Sequence, residues 1–189
     1  MKTNQSQQMK EQPTARKDAQ QNKQTLIQTA LELFKTQGPE VSLTDIAKAA
    51  QVSRMTCYRN FPDKQALIAA VFQHNLDQLA SYAQQLKDED QAFFKLLHAV
   101  VELQIDYSLL LPHMKEEQNR EASQFLFSIF SDSVTQAKTA NQLRPDFTLE
   151  EDLILVLMMM GGAIAAFTAT QDKQQAQRAL TLLVQGLQY

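Results

Sequence analysis

Apolar positions recur at helical spacing along almost the whole chain. Leu26, Ile27, Ala30, Leu31 and Phe34 lie on one face of a helix that is predicted to start near Asn22 and to stop at Gly38-Pro39. Ile46, Ala47 and Ala50 give a second, shorter face. Ser42 opens it, with Asp45 three residues on in a capping-box-like arrangement. Gln51 and Val52 break that pattern and Ser53 offers a new N-cap, so another helix is predicted after a turn of about three residues. Val52, Cys57 and Phe61 are spaced to pack inward. Phe61-Pro62 ends this element, since the residue before proline is pushed out of the helical region. Asp63 can cap the next helix, which carries Lys64, Leu67, Ile68, Val71, Phe72, Leu76 and Leu79 and is predicted to run to about Lys87. Further helices are predicted from about Gln91 to Leu111, His113 to Gln142, Leu149 to Thr170, and from Asp172 onward with Ala176, Leu180, Leu183 and Leu187. Thr148 with Glu151 offers a capping box for the first of the last two. The fold class is all-α, with about nine helices in total.

Composition adds an orientation. The chain has 189 residues and a formal charge of −3, but ten basic and six acidic residues lie up to Leu76 and eight against fifteen after it. A basic first part is drawn to phosphate and an acidic remainder is repelled by it. Residues 1–21 are polar and glutamine-rich with Pro13, which predicts a disordered tail. A single cysteine cannot form an internal disulfide, and the N-terminus has no apolar stretch of the secretion type, so the expected compartment is the cytoplasm. Leu153 to Gln171 lacks charge, yet it opens behind three acidic residues and contains Gly161-Gly162. A buried helix is expected there rather than a membrane span. Gly161, Gly162, Ala165, Ala166 and Ala169 give it a small-residue surface that lets another helix come close.

The outward face of the Ser53–Phe61 segment holds Arg54, Met55, Thr56, Arg59 and Asn60, with Tyr58 beside them. Arginine can bond a guanine edge through two N–H groups, asparagine can pair with adenine, and threonine or methionine can meet a thymine methyl. A solvated helix face is the plainer reading of the same residues. The segments QTLIQTALELFKTQG and SLTDIAKAAQVSRMTCYRNFPDKQALIAAVF closely resemble the N-terminal domain of the TetR family of transcriptional regulators. Ile46, Ala47, Ala50, Val52, Ser53, Thr56, Tyr58, Phe61 and Lys64 fall on the family pattern, and Thr44 is displaced from it by one position. Gln51 and Met55 stand where the family has glycine, and Asn60 where it has histidine.

That resemblance implies an N-terminal three-helix helix-turn-helix domain over 22–68 and a helical ligand-binding and dimerisation domain over 69–189. It implies a repressor that binds a palindromic operator as a homodimer through its last two helices, about 149–188, and that a small molecule releases. Thr44, Tyr58 and Lys64 are then the expected phosphate contacts, and Arg54, Met55, Thr56, Arg59 and Asn60 the expected base contacts. For the ligand, Phe94, His98, Met114, Phe127, Phe130 and Met159 are the candidates, although a phenylalanine-rich helix fills a core as readily as it lines a pocket. His98 and Glu102 share a helical face that also reads as solvated. No Gly-rich phosphate loop, nucleophile elbow, HExxH or CxxC occurs, so no enzyme, cofactor or metal is expected. The alternative function is a sensor or scaffold that keeps this fold and reads no DNA.

Overall fold

The structure is a computed structural model in which residues 12–108, 110, 113, 116–168 and 173–188 are described. Helix α1 spans Gln12–Gln37 and so begins well before Asn22. Of the expected disordered tail, the part from Gln12 to Gln21 is helical, and Met1–Glu11 lie outside the described residues. The cause is local. Alanine, lysine, arginine and glutamine are good helix formers, no glycine interrupts them, and Pro13 sits in the first turn, where its missing N–H costs nothing. Past α1 the chain turns at Gly38, with φ 75, into the 3-10 turn Gly38–Glu40.

Helices α2 (Leu43–Ala49), α3 (Arg54–Asn60) and α4 (Lys64–Gln85) follow. α1, α2 and α3 pack on one another and bury Leu26, Ala30, Phe34, Ile46, Cys57 and Phe61. The α2–α3 turn is a Schellman motif, in which the Val52 N–H donates to the Ala47 carbonyl at 3.0 Å and the Gln51 N–H to that of Lys48 at 3.2 Å. This geometry requires a left-handed residue at Gln51, whose φ is 56. The chain divides into two compact units, Met1–Val71 and Phe72–Tyr189. That division lies within α4, as does the expected boundary after residue 68.

In the second unit, α5 (Ala92–Asp106), α6 (Glu116–Thr139), α7 (Asp152–Thr168) and α8 (Lys173–Leu187) complete the order. Eight α-helices and no strand therefore occur among the described residues, against the nine or so expected. Phe93 is the centre of the core. Its ring meets Phe94, Phe130 and Phe147 edge-on at centroid distances of 5.0, 5.7 and 5.5 Å, the arrangement that aromatic quadrupoles prefer. α5 stops short of Leu111 because the chain turns at Tyr107, where the Leu110 N–H donates to the Tyr107 carbonyl at 2.8 Å. α6 closes on a second Schellman turn with Asn141 at φ 54. The segment that follows is anchored rather than slack: Leu143 and Phe147 are buried, and Leu143 forms an antiparallel bridge with Gln188.

α7 begins a turn later than Leu149, and the capping partner of Thr148 is Asp152, not Glu151. The Asp152 carboxylate accepts from the Thr148 N–H at 2.6 Å and from its hydroxyl at 3.1 Å. Leu153, Val156, Leu157, Met160 and Ile164 are buried as expected, but Leu155, Met158 and Met159 are more than half exposed. α5 and α8 pack against α7, and neither covers this face. A Cβ placed on Gly161 or Gly162 would meet nothing within 4 Å. No described helix is long and apolar enough to cross a membrane.

Two substitutions test this packing. Gln51→Gly relieves a left-handed backbone conformation that a Cβ disfavours and is expected to raise the unfolding free energy by about 1 kcal/mol, read from urea denaturation. Phe130→Ala removes one of the three rings packed on Phe93 and is expected to lower it by about 3 to 5 kcal/mol, read the same way.

Candidate nucleic-acid interface

Two serine caps and one carboxylate cap define the site. Ser42 Oγ accepts the Asp45 N–H at 3.1 Å and donates to the Asp45 carboxylate at 2.5 Å, which fixes the start of α2. Ser53 Oγ accepts the Thr56 N–H at 3.2 Å and starts α3. Asp63 accepts the Ala66 N–H at 2.7 Å and starts α4, whose first residue is Lys64. Each cap removes an unpaired backbone donor, which α2 and α3, at seven residues each, can ill spare. The Asp45 carboxylate accepts from the Ser42 hydroxyl and that of Asp63 from the Ala66 N–H, and Arg54 and Arg59 stand outward on α3.

α3 buries Cys57 completely, with its thiol 3.8 Å from the Leu43 carbonyl. Burial pushes the Cys57 thiol up from its usual pKa. A protonated, enclosed thiol is a packing group between α2 and α3 rather than a nucleophile. On the other side, Met55 is 71% exposed and Tyr58 41%. The Arg54 guanidinium lies over the Tyr58 ring, 5.7 Å from its centroid, a cation–π contact. Arg59 Nη2 donates to Met55 Sδ at 3.8 Å.

The structure thus brings Arg54, Met55, Thr56, Tyr58, Arg59 and Asn60 together on one short helix, with Thr44 exposed on α2 and Lys64 half-buried at the head of α4. It also divides the set in a way that residue spacing does not. The Thr56 hydroxyl is 2.8 Å from Ser53 Oγ. The Asn60 amide donates to the Thr56 carbonyl at 2.9 Å, so it folds back along its own helix. Both residues are half-buried. The signal for this was present, since serine three residues before threonine is a capping arrangement and asparagine near a helix end bonds backbone readily.

The five described ligand candidates do not converge on one cavity. Phe94 and Phe130 are buried in the aromatic core, and Phe127 is partly buried against it. Met159 is exposed on α7, and Met114 lies outside the described residues. His98 is exposed, 3.6 Å from Glu102, at the rim of a cavity of about 420 Å³ that Gln177, Leu180, Thr181 and Val184 also line. A cavity of about 360 Å³ between α4, α5 and α6, with Ala83, Leu96, Phe125, Ile129 and Ser133 in its wall, was not foreseen from the sequence. Residues from three separate helices form it, and no single periodicity signals it. No group of three or more potential metal-ligating side chains occurs among the described residues.

Residues 26–71, which contain the three caps and the whole outward face of α3, match the sequence profile of bacterial regulatory proteins, tetR family. An HTH-type transcriptional regulator of Staphylococcus aureus strain MRSA252 is 31% identical over 110 residues, 56% of this chain and 60% of that protein's length. A second such regulator, from strain USA300, is 29% identical over 142 residues, 66% of this chain and 77% of the other. Among solved structures, a TetR transcription regulatory protein from Mycobacterium vanbaalenii superposes with a TM-score of 0.65 at 22% identity, covering 93% of this chain and 99% of that one. A gamma-butyrolactone receptor superposes with a TM-score of 0.56 at 18% identity over 90% of this chain and 89% of its own. These likenesses, one resting on the capped helix pair and the other on the order of all the helices, agree. Residues 26–71 therefore carry the helix-turn-helix region of the TetR family, and the described helices share the fold of TetR-family regulators.

Proposed function

We propose that the chain is a cytoplasmic repressor that binds a palindromic operator as a homodimer and leaves it when a small molecule occupies the second unit. The observation that carries this reading is the outer face of α3, a capped helix whose arginines and methionine face solvent while its cysteine is sealed inside. Seven helical residues span roughly 10 Å, and the major groove is about 12 Å wide, so the helix fits lengthwise or across. Thr44, Tyr58 and Lys64 take phosphates in this reading. Lys64 lies in the first turn of α4, where the helix dipole also favours an anion.

One such helix touches only a few base pairs, and useful discrimination takes two, about 34 Å apart on one side of the duplex. The uncovered side of α7 supports a second copy as the source of the other helix. Leu155, Met158 and Met159 there, and Leu182 on α8, are exposed apolar side chains that monomeric proteins seldom cluster. Gly161 and Gly162 leave room for a helix to approach closely. The cavity between α4, α5 and α6 supports a small-molecule effector, as does the name of the gamma-butyrolactone receptor with which the fold is shared. α4 contains the division between the two units, so a ligand that tilts its second half acts on its first.

Titration of palindromic duplexes selected from the surrounding genome, over a range of salt, is expected to give an association constant that falls steeply with salt. Lys64→Ala is expected to lower the slope of that log–log plot by about 1, and Arg54→Ala and Tyr58→Phe to weaken binding. A flat salt response, or unchanged affinity in all three variants, overturns the reading. Sedimentation addresses the dimer: Met158→Asp and Gly162→Leu each leave the protomer's own core untouched and are expected to give monomers that bind the operator at least tenfold more weakly.

A further inference from the structure

The six outward residues of α3 are not equivalent. At about 100° per residue, Met55 and Arg59 each stand about 160° from the buried Cys57, Thr56 and Tyr58 about 100°, and Arg54 and Asn60 about 60°. The pole of the helix opposite its buried side therefore belongs to Met55 and Arg59 alone. Side-chain contacts agree with that geometry. The Thr56 hydroxyl is paired with Ser53, the Asn60 amide with the Thr56 carbonyl, and Arg54 lies along the Tyr58 ring. Arg59 instead rests its Nη2 against Met55 Sδ at 3.8 Å, which sets a guanidinium and a thioether side by side at the most protruding point. Met55 is also the most exposed large apolar side chain among the described residues, at 71%.

Resting on the DNA-binding reading above, we propose that Met55 and Arg59 form one reading unit for a thymine adjacent to a guanine, Met55 against the thymine C5-methyl and Arg59 on the guanine O6 and N7. The chemistry follows from the pair. In the major groove only thymine among the unmodified bases offers a methyl group, and guanine alone presents two acceptors that match a guanidinium fork. A polarizable, unbranched thioether adapts its shape to a methyl. Contact between the two side chains fixes the separation of the two base edges at one base step, so thymine and guanine must be neighbours. Thr56 and Asn60 then support the helix, and Arg54 and Tyr58 serve the backbone side of the groove.

The test begins with enrichment of random duplexes on the full-length protein, followed by single-atom changes in the duplex obtained. Each half-site is expected to hold a thymine next to a guanine. Replacing that thymine by uracil removes one methyl and is expected to weaken binding about fourfold, whereas Met55→Ala, which leaves the exposed fold intact, binds the two duplexes equally. Replacing the guanine by 7-deazaguanine removes N7 and is expected to weaken the wild type but not Arg59→Ala. A consensus lacking the thymine–guanine neighbours, equal binding of the uracil duplex by the wild type, or a uracil penalty that persists in Met55→Ala overturns the inference and leaves the DNA-binding reading standing. Absence of any consensus overturns both.

Discussion

A helix of seven residues does not persist in water by itself, because the ordering of its first turn outweighs the few hydrogen bonds it closes. α3 exists because its ends and one side are held from outside. Ser53 satisfies a donor at its start, the Phe61 N–H bonds back to the Cys57 carbonyl at 2.8 Å at its finish, and Cys57 and Phe61 are sealed in the core of the three-helix unit. Everything else on α3 is thereby free to face outward. The constraint also explains why the preceding turn is so closely specified. The Schellman geometry at Ala47–Val52 sets the direction in which the chain leaves α2, and Gln51 adopts a left-handed conformation to allow it even though it carries a side chain.

Polar groups near this helix do different work according to how far they protrude. Ser42, Ser53, Thr56, Asn60 and Asp63 bond backbone or one another and act as scaffold. The guanidinium groups of Arg54 and Arg59 lie along neighbouring side chains instead, one on an aromatic ring and one on a thioether. The ring contact takes none of the Arg54 N–H donors and the thioether contact takes one of the Arg59 donors, and both reduce the rotameric freedom that binding would otherwise remove. An arginine held in this way is already close to the posture in which it would meet an acceptor.

The second unit is organised around a different economy. Its centre is a buried aromatic cluster about Phe93, closed by Leu143 and Phe147 from the α6–α7 connection. The Leu143 bridge and the bond from the Arg144 N–H to the Leu187 carbonyl at 3.1 Å tie that connection to the end of α8. Arg144 and Asp146 pair through two N–H bonds, which holds the Asp146 carboxyl below its usual pKa. On this rigid frame α7 presents a buried side and an uncovered apolar side of nearly equal hydrophobicity. Area exposed in one protomer is thus available to a second.

Local chemistry was readable from residue order alone: the serine caps at Ser42 and Ser53, the Asp63 cap, the stripe from Leu26 to Phe34, the stop at Gly38, and the family whose profile residues 26–71 match. Caps, turns and periodic stripes depend on residues a few positions apart, so the sequence contains the whole interaction. What it could not decide were outcomes set by distant or competing partners. The length of α1 depended on the absence of any breaker and not on an apolar stripe. The choice of Asp152 over Glu151 at Thr148 depended on where the chain enters α7. The apolar positions of α7 looked alike in sequence, and only the placement of α5 and α8 determined that Leu153 and Met160 are covered and Met158 is not. Likewise the residues of α3 share one polar pattern, and their ranking from inner to outer was fixed by which side chain the rest of the three-helix unit buried.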